Sequence, residues 1–423
     1  MDSSEENALL LEDLNDQKIR EYAPAIAYSA FVMILGIFGN IFSIIYYGFK
    51  STKTTTNNLI TYLAVTDFVT CIVFCDEIIE LCFTITFKDV IGCKFMYFTN
   101  HTLVVGSAFI LTLISVDRFR KICRRQSWQL TVLTARICVG VLLFLSFLLS
   151  VRDFVILDVV QVNLTSPAQN KSIPGYYCTH TRDGDMKTTV TAFQLIDLAT
   201  FIIVITTMVV LYSFVAREIW IQRKRKESHM LLVAAKSSVT ESESTDVKGF
   251  HKISAEDTGS SVLNENTDQN VSHSDTKVDI NTPQLIFSQL PEQKEKCFTV
   301  EGNIPKIGDD QSPATRNPTE NNREHKEHNS KRKHADAIER KIAVMMIVIT
   351  GASVLSFVPY FIVNLGVKRK SNTPEQEFSV GMQIALRSFM LNNAVNPYIM
   401  GLFNTQFRRF VKDIICKCQC LRK

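Results

Sequence analysis

Polar side chains interrupt several long apolar stretches of this 423-residue sequence, and they are the first candidates for chemistry. Asp67 lies in LAVTDF, Ser107 lies in a second apolar stretch, and Asn392 and Asn396 lie in a third. The two asparagines are four residues apart, so on a helix they share a face. Carboxylate, hydroxyl and amide oxygens suit a hard cation such as Na⁺, or a water cluster. If these faces converge, we expect a small polar cavity; a network that only positions helices is the alternative.

A second group of charged residues would tie two helices together. Asp117 and Arg118 lie at the end of one apolar stretch, and Glu339 lies at the start of another. An arginine held between two carboxylates would be partly buried, so breaking this contact would matter more than breaking a surface ion pair. Ordinary charge at a membrane interface is the alternative.

The elements that must position these residues are long apolar helices. Apolar residues make up 46% of the chain and are concentrated in runs. A helix needs about 20 mostly apolar residues to cross a bilayer, and seven runs, numbered here as spans one to seven, reach this length. They lie near Ala23–Phe49, Leu59–Phe83, Ile91–Ile122, Leu130–Val151, Val190–Trp220, Ile338–Val367 and Phe378–Phe403. The sequence therefore predicts an all-α membrane protein, a seven-transmembrane helix bundle with a short amphipathic cytoplasmic helix.

Basic residues set the orientation of the spans, because cytoplasmic loops carry an excess of lysine and arginine. They follow spans one, three, five and seven, at Lys50, Lys53, Arg118, Arg120, Lys121, Arg124, Arg125, Arg217, Arg223, Lys224, Arg225, Lys226, Arg408, Arg409 and Lys412. The predicted protein is multi-pass in the plasma membrane with an extracellular N-terminus. Residues 1–22 lack the basic start and apolar core of a signal peptide, so span one is expected to direct insertion. The net charge of +4 is then a topological signal, which disfavours nucleic acid as a partner.

Composition divides the chain into five predicted segments. They are an extracellular acidic tail at 1–22, transmembrane helices with their loops at 23–220, a disordered third cytoplasmic loop at 221–336, two further transmembrane helices at 337–403, and an amphipathic helix with a Cys-rich tail at 404–423. The third loop is too polar to offset its ordering entropy. Its ends, WIQRKRKE and KRKHADAIERKIAVMM, favour helix and suit partner docking, or are simply positive flanks.

Cysteines and asparagines suggest several covalent features. Cys93 begins span three and Cys178 lies in the long outer loop after span four, so the oxidising exterior favours a disulfide between them. Asn163 and Asn170 in that loop begin N-glycosylation acceptors, whereas Asn100 begins one inside a span that should stay unmodified. On the cytoplasmic side we expect S-palmitoylation of the tail cysteines, with unmodified thiols as the alternative. These are Cys416, Cys418 and Cys420.

Short motifs in a fixed order carry a family resemblance. They are Gly39-Asn40, LAVTD, Cys93, SVDRF, SFVPY and NPYIM. Each is weak alone, but in this order and placement the chain resembles a rhodopsin-like (class A) G-protein-coupled receptor, of the neuropeptide receptor type, across all seven spans. The resemblance implies that Asp67 is the carboxylate of an allosteric sodium site and that Arg118 is the switch arginine. The other residues of the implied coupling switch are Asp117, Glu339, Asn396, Pro397 and Tyr212.

Several positions depart from the family pattern. Phe119 replaces a tyrosine beside the switch arginine, Phe357 replaces the usual tryptophan of span six, and the tryptophan of span four and the proline of span five are missing. Met400 stands where the family has a tyrosine whose hydroxyl makes a water-bridged contact with Tyr212. Methionine cannot donate that hydrogen bond. Either Tyr398 substitutes in part, or the active state is held differently.

The resemblance also narrows the class of ligand. Asn100 stands where amine receptors carry an aspartate, which disfavours a monoamine, and the outer half of span seven offers Arg387 but no lysine for retinal. The acidic residues Asp76, Glu77 and Glu80 would form a negative vestibule that steers a basic ligand, or are simply solvated. We expect a neuropeptide, or else a small molecule, as the ligand. The expected ligand contacts are Glu77, Asn100, Phe357 and Arg387.

The expected mechanism is a population shift, in which the ligand favours an arrangement with span six swung outward. Pro359 removes one backbone hydrogen bond from span six and kinks it, which allows its inner end to pivot. The tie between Arg118 and Glu339 would open and admit a helix of a G-protein α-subunit. Receptor kinases and arrestin are further expected partners, through the third cytoplasmic loop.

Other classes of protein stay open at this point. Met400, with the missing tryptophan and proline, would suit a receptor-like scaffold or decoy that does not couple to G proteins. A seven-helix transporter predicts paired charges along a pathway and broken helices with internal repeats, and the sequence has neither. An enzyme is the least favoured class, because the sequence contains no metal-ligand cluster, nucleophile–base pair or glycine-rich phosphate loop.

Overall fold

The computed structural model describes residues 3–124, 128–165, 172–246, 318–367 and 379–420 of a mainly helical chain. The helices are α1 (Ser3–Ile45), α2 (Thr55–Val73), α3 (Cys75–Cys82), α4 (Val90–Cys123), α5 (Val132–Ser150), α6 (Asp153–Ile156), α7 (Lys187–Asp246), α8 (Pro318–Val367), α9 (Val380–Leu386), α10 (Met390–Phe403) and α11 (Thr405–Cys420). A π-helical turn, Tyr46–Lys50, follows α1, and a 3₁₀ turn, Gly184–Met186, precedes α7. Two strands, β1 (Leu157–Thr165) and β2 (Ser172–His180), form a hairpin.

Six of the seven predicted spans are continuous or nearly continuous helices in the part of the chain that the structure describes. By length and composition, six segments there are able to cross a membrane. The seventh span is broken, because α9 ends at Leu386 and α10 begins at Met390. Neither piece alone reaches the roughly 20 residues that a crossing requires, but together they cover the predicted run from Val380 onward.

The helix starts and the packing of the fourth span follow from local sequence. The side chains of Thr54, Asp89 and Thr131 cap the first turns of α2, α4 and α5 by accepting a backbone N–H hydrogen bond. Helix α5 buries small residues such as Ala135 and Ser146 and exposes large apolar ones. Small residues let helix backbones approach closely, while an apolar outer face is at no disadvantage in lipid.

The predicted acidic tail at 1–22 is helical from Ser3 and continuous with the first span. Asn15 anchors this extension: its Nδ2 donates to the Cys82 carbonyl at 2.8 Å, and its Oδ1 accepts from the Ile85 N–H at 3.3 Å. Leu11 packs in an apolar cluster with Ile85 and residues of β2. The N-terminal extension is therefore held against the hairpin.

The hairpin covers one end of the bundle, called the hairpin end below. Its antiparallel register runs from Leu157 opposite His180 to Thr165 opposite Ser172. The predicted disulfide between Cys93 and Cys178 is confirmed and ties β2 to the start of α4. Asn163 is exposed on β1, and Asn170 lies outside the described residues, so glycosylation of both stays a prediction.

The predicted third loop at 221–336 has helical ends. Helix α7 continues past Trp220 to Asp246, and α8 begins at Pro318. The chain divides into two units, one of Met1–Met230 with Glu327–Lys423 and the other of Leu231–Lys326. Residues 247–317, in the centre of the predicted loop, lie outside the described residues.

Helix α11 lies at the opposite end of the bundle from the hairpin and is amphipathic, as predicted for 404–423. Phe407 is buried, and its ring lies 5.3 Å from that of Tyr46 and 5.8 Å from that of Tyr47. Cys416 is exposed. The side chains of Cys418 and Cys420 lie outside what the structure describes, and palmitoylation stays a prediction.

Candidate functional site

A cavity of about 360 Å³ opens beneath the hairpin, between spans two, three, five, six and seven. Its lining includes all four predicted ligand contacts, Glu77, Asn100, Phe357 and Arg387. Glu80 also lines it, but Asp76 is absent from the described lining. The Asp76 Oδ1 lies 3.8 Å from Cys75 Sγ, so two of the three acidic residues expected to form a vestibule line the cavity.

One wall of the cavity is a network of charged and amide groups. Arg387 Nε lies 3.2 Å from Glu77 Oε2, and Arg387 Nη2 lies 3.7 Å from Glu80 Oε2. Asn100 Nδ2 donates to Glu77 Oε1 at 2.7 Å, and Arg387 Nη1 donates to Gln383 Oε1 at 2.7 Å. Arg387 is only 3% exposed and stands at the break of the seventh span. The predicted acidic wall therefore carries its own buried counter-ion.

The cavity lining also holds a second charged cluster, which the sequence did not predict. His101 Nδ1 lies 3.1 Å from Asp153 Oδ2, and His101 Nε2 lies 3.4 Å from Asp197 Oδ1. Arg152 donates to Asp197, and its Nη2 is 3.1 Å from the His101 ring nitrogens. His101, Asp153 and Asp197 all line the cavity. Asp197 was detectable, because a carboxylate inside an apolar run is the same signal that singled out Asp67.

Aromatic rings of spans five, six and seven also line the cavity. The ring of Phe201 on span five lies 5.7 Å from that of Phe357 and 4.0 Å from that of Phe361, both on span six. Tyr360 lies 5.6 Å from Phe389, in the break of span seven. Phe357, which replaces the tryptophan of the family pattern, thus links spans five and six at the cavity. A cavity lined by both aromatic rings and charged groups suits a ligand that carries apolar and polar groups.

Below the cavity, Asp67 is fully buried in a polar network. Ser107 Oγ donates to Asp67 Oδ1 at 2.5 Å, and Asn396 Nδ2 donates to Asp67 Oδ2 at 2.7 Å. Asn392 is also buried, but its Nδ2 donates to Asn393 Oδ1 at 2.6 Å rather than to Asp67. Two of the three residues predicted to surround Asp67 therefore bond its carboxylate, and the Asn392 amide bonds Asn393 instead.

Several buried amide atoms of spans one and seven, including one of this network, lack a partner in the part of the chain that the structure describes. The Oδ1 atoms of Asn40, Asn392 and Asn396 are buried without a hydrogen-bond partner among the described residues, and so is Asn393 Nδ2. Buried polar groups are normally satisfied, so such atoms indicate water or an ion. The unpaired oxygen of Asn396, whose Nδ2 bonds the Asp67 carboxylate, is of the ligand type that a hard cation prefers. The described residues hold no group of three or more His, Cys, Asp or Glu that suits a metal ion.

At the end opposite the hairpin, Arg118 joins spans three and six. Its Nη2 lies 2.5 Å from Asp117 Oδ2, and its Nη1 donates to Glu339 Oε2 at 2.6 Å. Nη2 also donates to the Thr56 hydroxyl on span two. Arg118 is fully buried, whereas the Glu339 side chain is 39% exposed. The Arg118 guanidinium is therefore bonded to the buried groups Asp117 and Thr56 on one side. On the other side it is bonded to Glu339, at the partly exposed inner end of span six.

The remaining residues of the predicted switch, Tyr212 and Pro397, are buried. Tyr212 and Met400 are both buried in the same apolar core. The Tyr398 hydroxyl donates to the Leu35 carbonyl of span one at 3.0 Å, so in this structure it does not substitute for the missing hydroxyl at Met400. Pro397 lies inside α10 and packs on Gly39, where an added Cβ would lie 3.1 Å from the proline ring.

Comparison with known proteins agrees with this architecture. Residues 39–400 match the model of the 7 transmembrane receptor (rhodopsin family). Two similar proteins are growth hormone secretagogue receptors type 1, from Mustela putorius furo (24% identical over 211 residues) and Oryctolagus cuniculus (24% over 208 residues). The matches cover 47% and 46% of this chain and 53% and 52% of the relatives, so the chain spans about half the length of the curated relatives it matches. The predicted fold class and the family resemblance are confirmed: the chain belongs to the rhodopsin family of seven-transmembrane receptors.

Proposed function

We propose that this chain is a receptor that binds an extracellular neuropeptide and activates heterotrimeric G proteins through outward movement of span six. The observation that carries the proposal is the Arg118 group, which joins Asp117 and Glu339 at the far end of the bundle from the cavity. In this orientation the hairpin end and the N-terminus are extracellular, as the distribution of basic residues predicts. Membership of a receptor family places the protein in the plasma membrane.

The charge of the cavity favours a ligand with a basic group. Four carboxylates line it: Glu77 and Glu80 contact Arg387, and Asp153 and Asp197 contact Arg152 and His101. Asn100 Oδ1, which is buried without a hydrogen-bond partner among the described residues, adds an acceptor. An amine or guanidine of a peptide would pair with this surplus of acceptors, and the matched relatives are themselves secretagogue receptors.

Coupling follows from competition for the carboxylates. A ligand cation that pairs with Glu77 would weaken the hold of Arg387, which stands at the break of the seventh span. A ligand against Phe357 would also press on its ring contact with Phe201 of span five. The ligand shifts the equilibrium only by its different affinity for the two arrangements. In the open arrangement Arg118 leaves Glu339, and a G-protein helix enters. Receptor kinases and arrestin would bind through the third cytoplasmic loop.

We also propose an allosteric Na⁺ at Asp67. Asp67, Ser107 and Asn396 would hold it, and the unpaired Asn392 oxygen is a further candidate ligand. When bound, the ion supplies positive charge to a buried carboxylate, which is otherwise costly to keep ionised. Its effect is to join spans two, three and seven.

A receptor-like protein that does not couple is the second candidate, favoured by the absence of a hydroxyl at the buried Met400. A second-messenger assay in transfected cells, with a neuropeptide library and basal signalling measured alongside, separates the two. Coupling predicts a ligand-dependent response that Arg118→Ala abolishes, and raised basal activity in Glu339→Ala. No response with any G-protein class, with basal signalling unaffected by Arg118→Ala, would support the non-coupling protein.

A further inference from the structure

Lys121 forms a second positive partner for the carboxylate at the coupling switch. It lies one helical turn after Asp117 on span three, and its Nζ is 3.1 Å from Asp117 Oδ2. The same Nζ donates to the Thr56 hydroxyl at 2.7 Å. The Lys121 side chain is only 20% exposed. A lysine with no role in the bundle would extend its charge into solvent, whereas this one is folded inward.

Lys121 and Arg118 compete for the same two oxygen atoms. Arg118 Nη2 lies 2.5 Å from Asp117 Oδ2 and also donates to the Thr56 hydroxyl. Two cations therefore share one carboxylate oxygen and one hydroxyl. The other carboxylate oxygen, Asp117 Oδ1, is buried without a hydrogen-bond partner among the described residues.

This arrangement has opposite consequences for the two states of the switch. While Arg118 is in place, Lys121 repels it, because like charges held at short range in a buried site interact strongly. When Arg118 leaves, Asp117 would be an unpaired buried carboxylate, which is strongly unfavourable. Lys121 remains beside it and supplies the missing counter-charge.

We propose that Lys121 is a positioning residue of the switch, which keeps Asp117 paired when Arg118 swings away and so favours the open arrangement of span six. The inference rests on the proposed G-protein coupling. Lys121 would promote opening of the bundle, whereas the neighbouring contact between Arg118 and Glu339 holds it closed.

The test compares Lys121→Met with Arg120→Met, a loss of charge on the same helix end. Arg120 is bonded to the Trp128 carbonyl and has no contact with Asp117 among the described interactions. Basal nucleotide exchange is measured in membranes with purified G-protein heterotrimers, at matched surface expression. We expect exchange to fall roughly five-fold in Lys121→Met, the scale of a modest coupling free energy, and to be unchanged in Arg120→Met. Lys121→Arg should restore most of it.

A double-variant cycle excludes a direct contact between Lys121 and the G protein. On an Asp117→Asn background no carboxylate is left to neutralise. The ratio of exchange rates between receptors without and with the Lys121→Met substitution should therefore fall towards one. A loss that stays five-fold on that background would assign Lys121 to G-protein binding and overturn the proposal. A rise in basal exchange in Lys121→Met would show that Lys121 holds the switch closed, and would overturn it as well.

A second readout needs no G protein. A fluorophore at Lys341→Cys, an exposed position at the inner end of span six, reports opening directly. The open population should fall in Lys121→Met and also in Lys121→Gln, which keeps a hydrogen-bonding group but loses the charge. If opening responds in this way while no G protein does, the coupling function fails and the role of Lys121 stands. If the open population is the same with and without the Lys121 charge, the proposal is wrong whatever the receptor couples to.

Discussion

Arg387 joins the break of the seventh span to span two through Glu77 and Glu80. Its side chain is 4% exposed and that of Glu77 is 14% exposed, so the pair is largely shielded from solvent. Removing one partner of a buried ion pair lowers stability by much more than the pair contributes to it, because the other charge stays buried without a counter-ion. Arg387 therefore has a structural role in addition to its proposed role as a ligand contact.

We predict that Arg387→Ala destabilises the receptor by about 3 kcal/mol or more, because Glu77 loses its buried counter-ion. The measurement is the thermal unfolding midpoint of receptor purified in detergent. Arg136→Ala is the control, since Arg136 is exposed and bonds only the Tyr62 hydroxyl at 3.3 Å among the described interactions; it should shift stability by less than about 0.5 kcal/mol. Equal midpoints for the two variants would contradict this assignment.

Met400 allows a direct test of the missing hydroxyl. In Met400→Tyr the new hydroxyl can contact Tyr212 in the open arrangement, so basal and agonist-driven signalling should rise several-fold. Met400→Phe is the matched control, because both rings crowd a site that is 1% exposed and overpacking costs about 1–3 kcal/mol in each. Identical signalling by the two variants would mean that the hydroxyl plays no part in this receptor.

Among the elements, the first span packs most closely on its neighbours at glycines. A Cβ added at Gly36 would collide with Cys71 Sγ of span two and lie 3.3 Å from the Ala394 side chain of span seven. Glycine therefore allows three helices to meet where no side chain fits. Gly140 on span four is different, because nothing among the described residues lies within 4 Å of its added Cβ.

These glycines give a matched pair of variants. Gly36→Ala should destabilise the bundle by about 1–3 kcal/mol through overpacking. Gly140→Ala should be neutral or stabilising by up to about 1 kcal/mol, since alanine favours helix more than glycine does. Thermal unfolding of the two purified variants checks both values. If the Gly36→Ala receptor were as stable as the Gly140→Ala receptor, the first span would be able to shift away from spans two and seven without loss of stability.

At the scale of the whole molecule, polar groups form three layers along the bundle. The charged walls of the cavity lie at the hairpin end, the Asp67 network lies below them, and the Arg118 group lies at the opposite end. Each layer joins at least two spans. In lipid, polar groups must find partners inside the protein, so a change of partners in one layer is a physical route by which helices move together.

We predict that Na⁺ stabilises the receptor through the middle layer. Replacing choline chloride by NaCl at equal ionic strength should raise the unfolding midpoint of the purified receptor, because an ion bound only to the folded state adds stability by mass action. In Asp67→Asn the carboxylate is gone and the rise should disappear. KCl in place of NaCl serves as the control for general salt effects. The same rise in Asp67→Asn as in the unmodified receptor would place the Na⁺ effect elsewhere.

The sequence by itself determined the helical membrane bundle, because a chain in lipid must satisfy its backbone hydrogen bonds within each helix, and hydropathy reports the length of each apolar run. It also identified Cys93 with Cys178, and the polar residues Asp67 and Arg118, by residue type and position. Only the tertiary structure decided the partners of several other polar groups. Asn392 turns to Asn393, Arg387 pairs with Glu77, and His101 bridges Asp153 and Asp197.

The physical reason is that most of these partners lie far apart in the sequence, on different helices. Spacing along one helix determines which residues share a face, but the rotation of each helix and the break in the seventh span determine what that face meets. Arg387 meets Glu77, and Lys121 meets Thr56, across different helices. No local sequence pattern encodes these contacts between helices. The types of the functional residues were therefore predictable from the sequence, whereas these contacts were decided by helix packing.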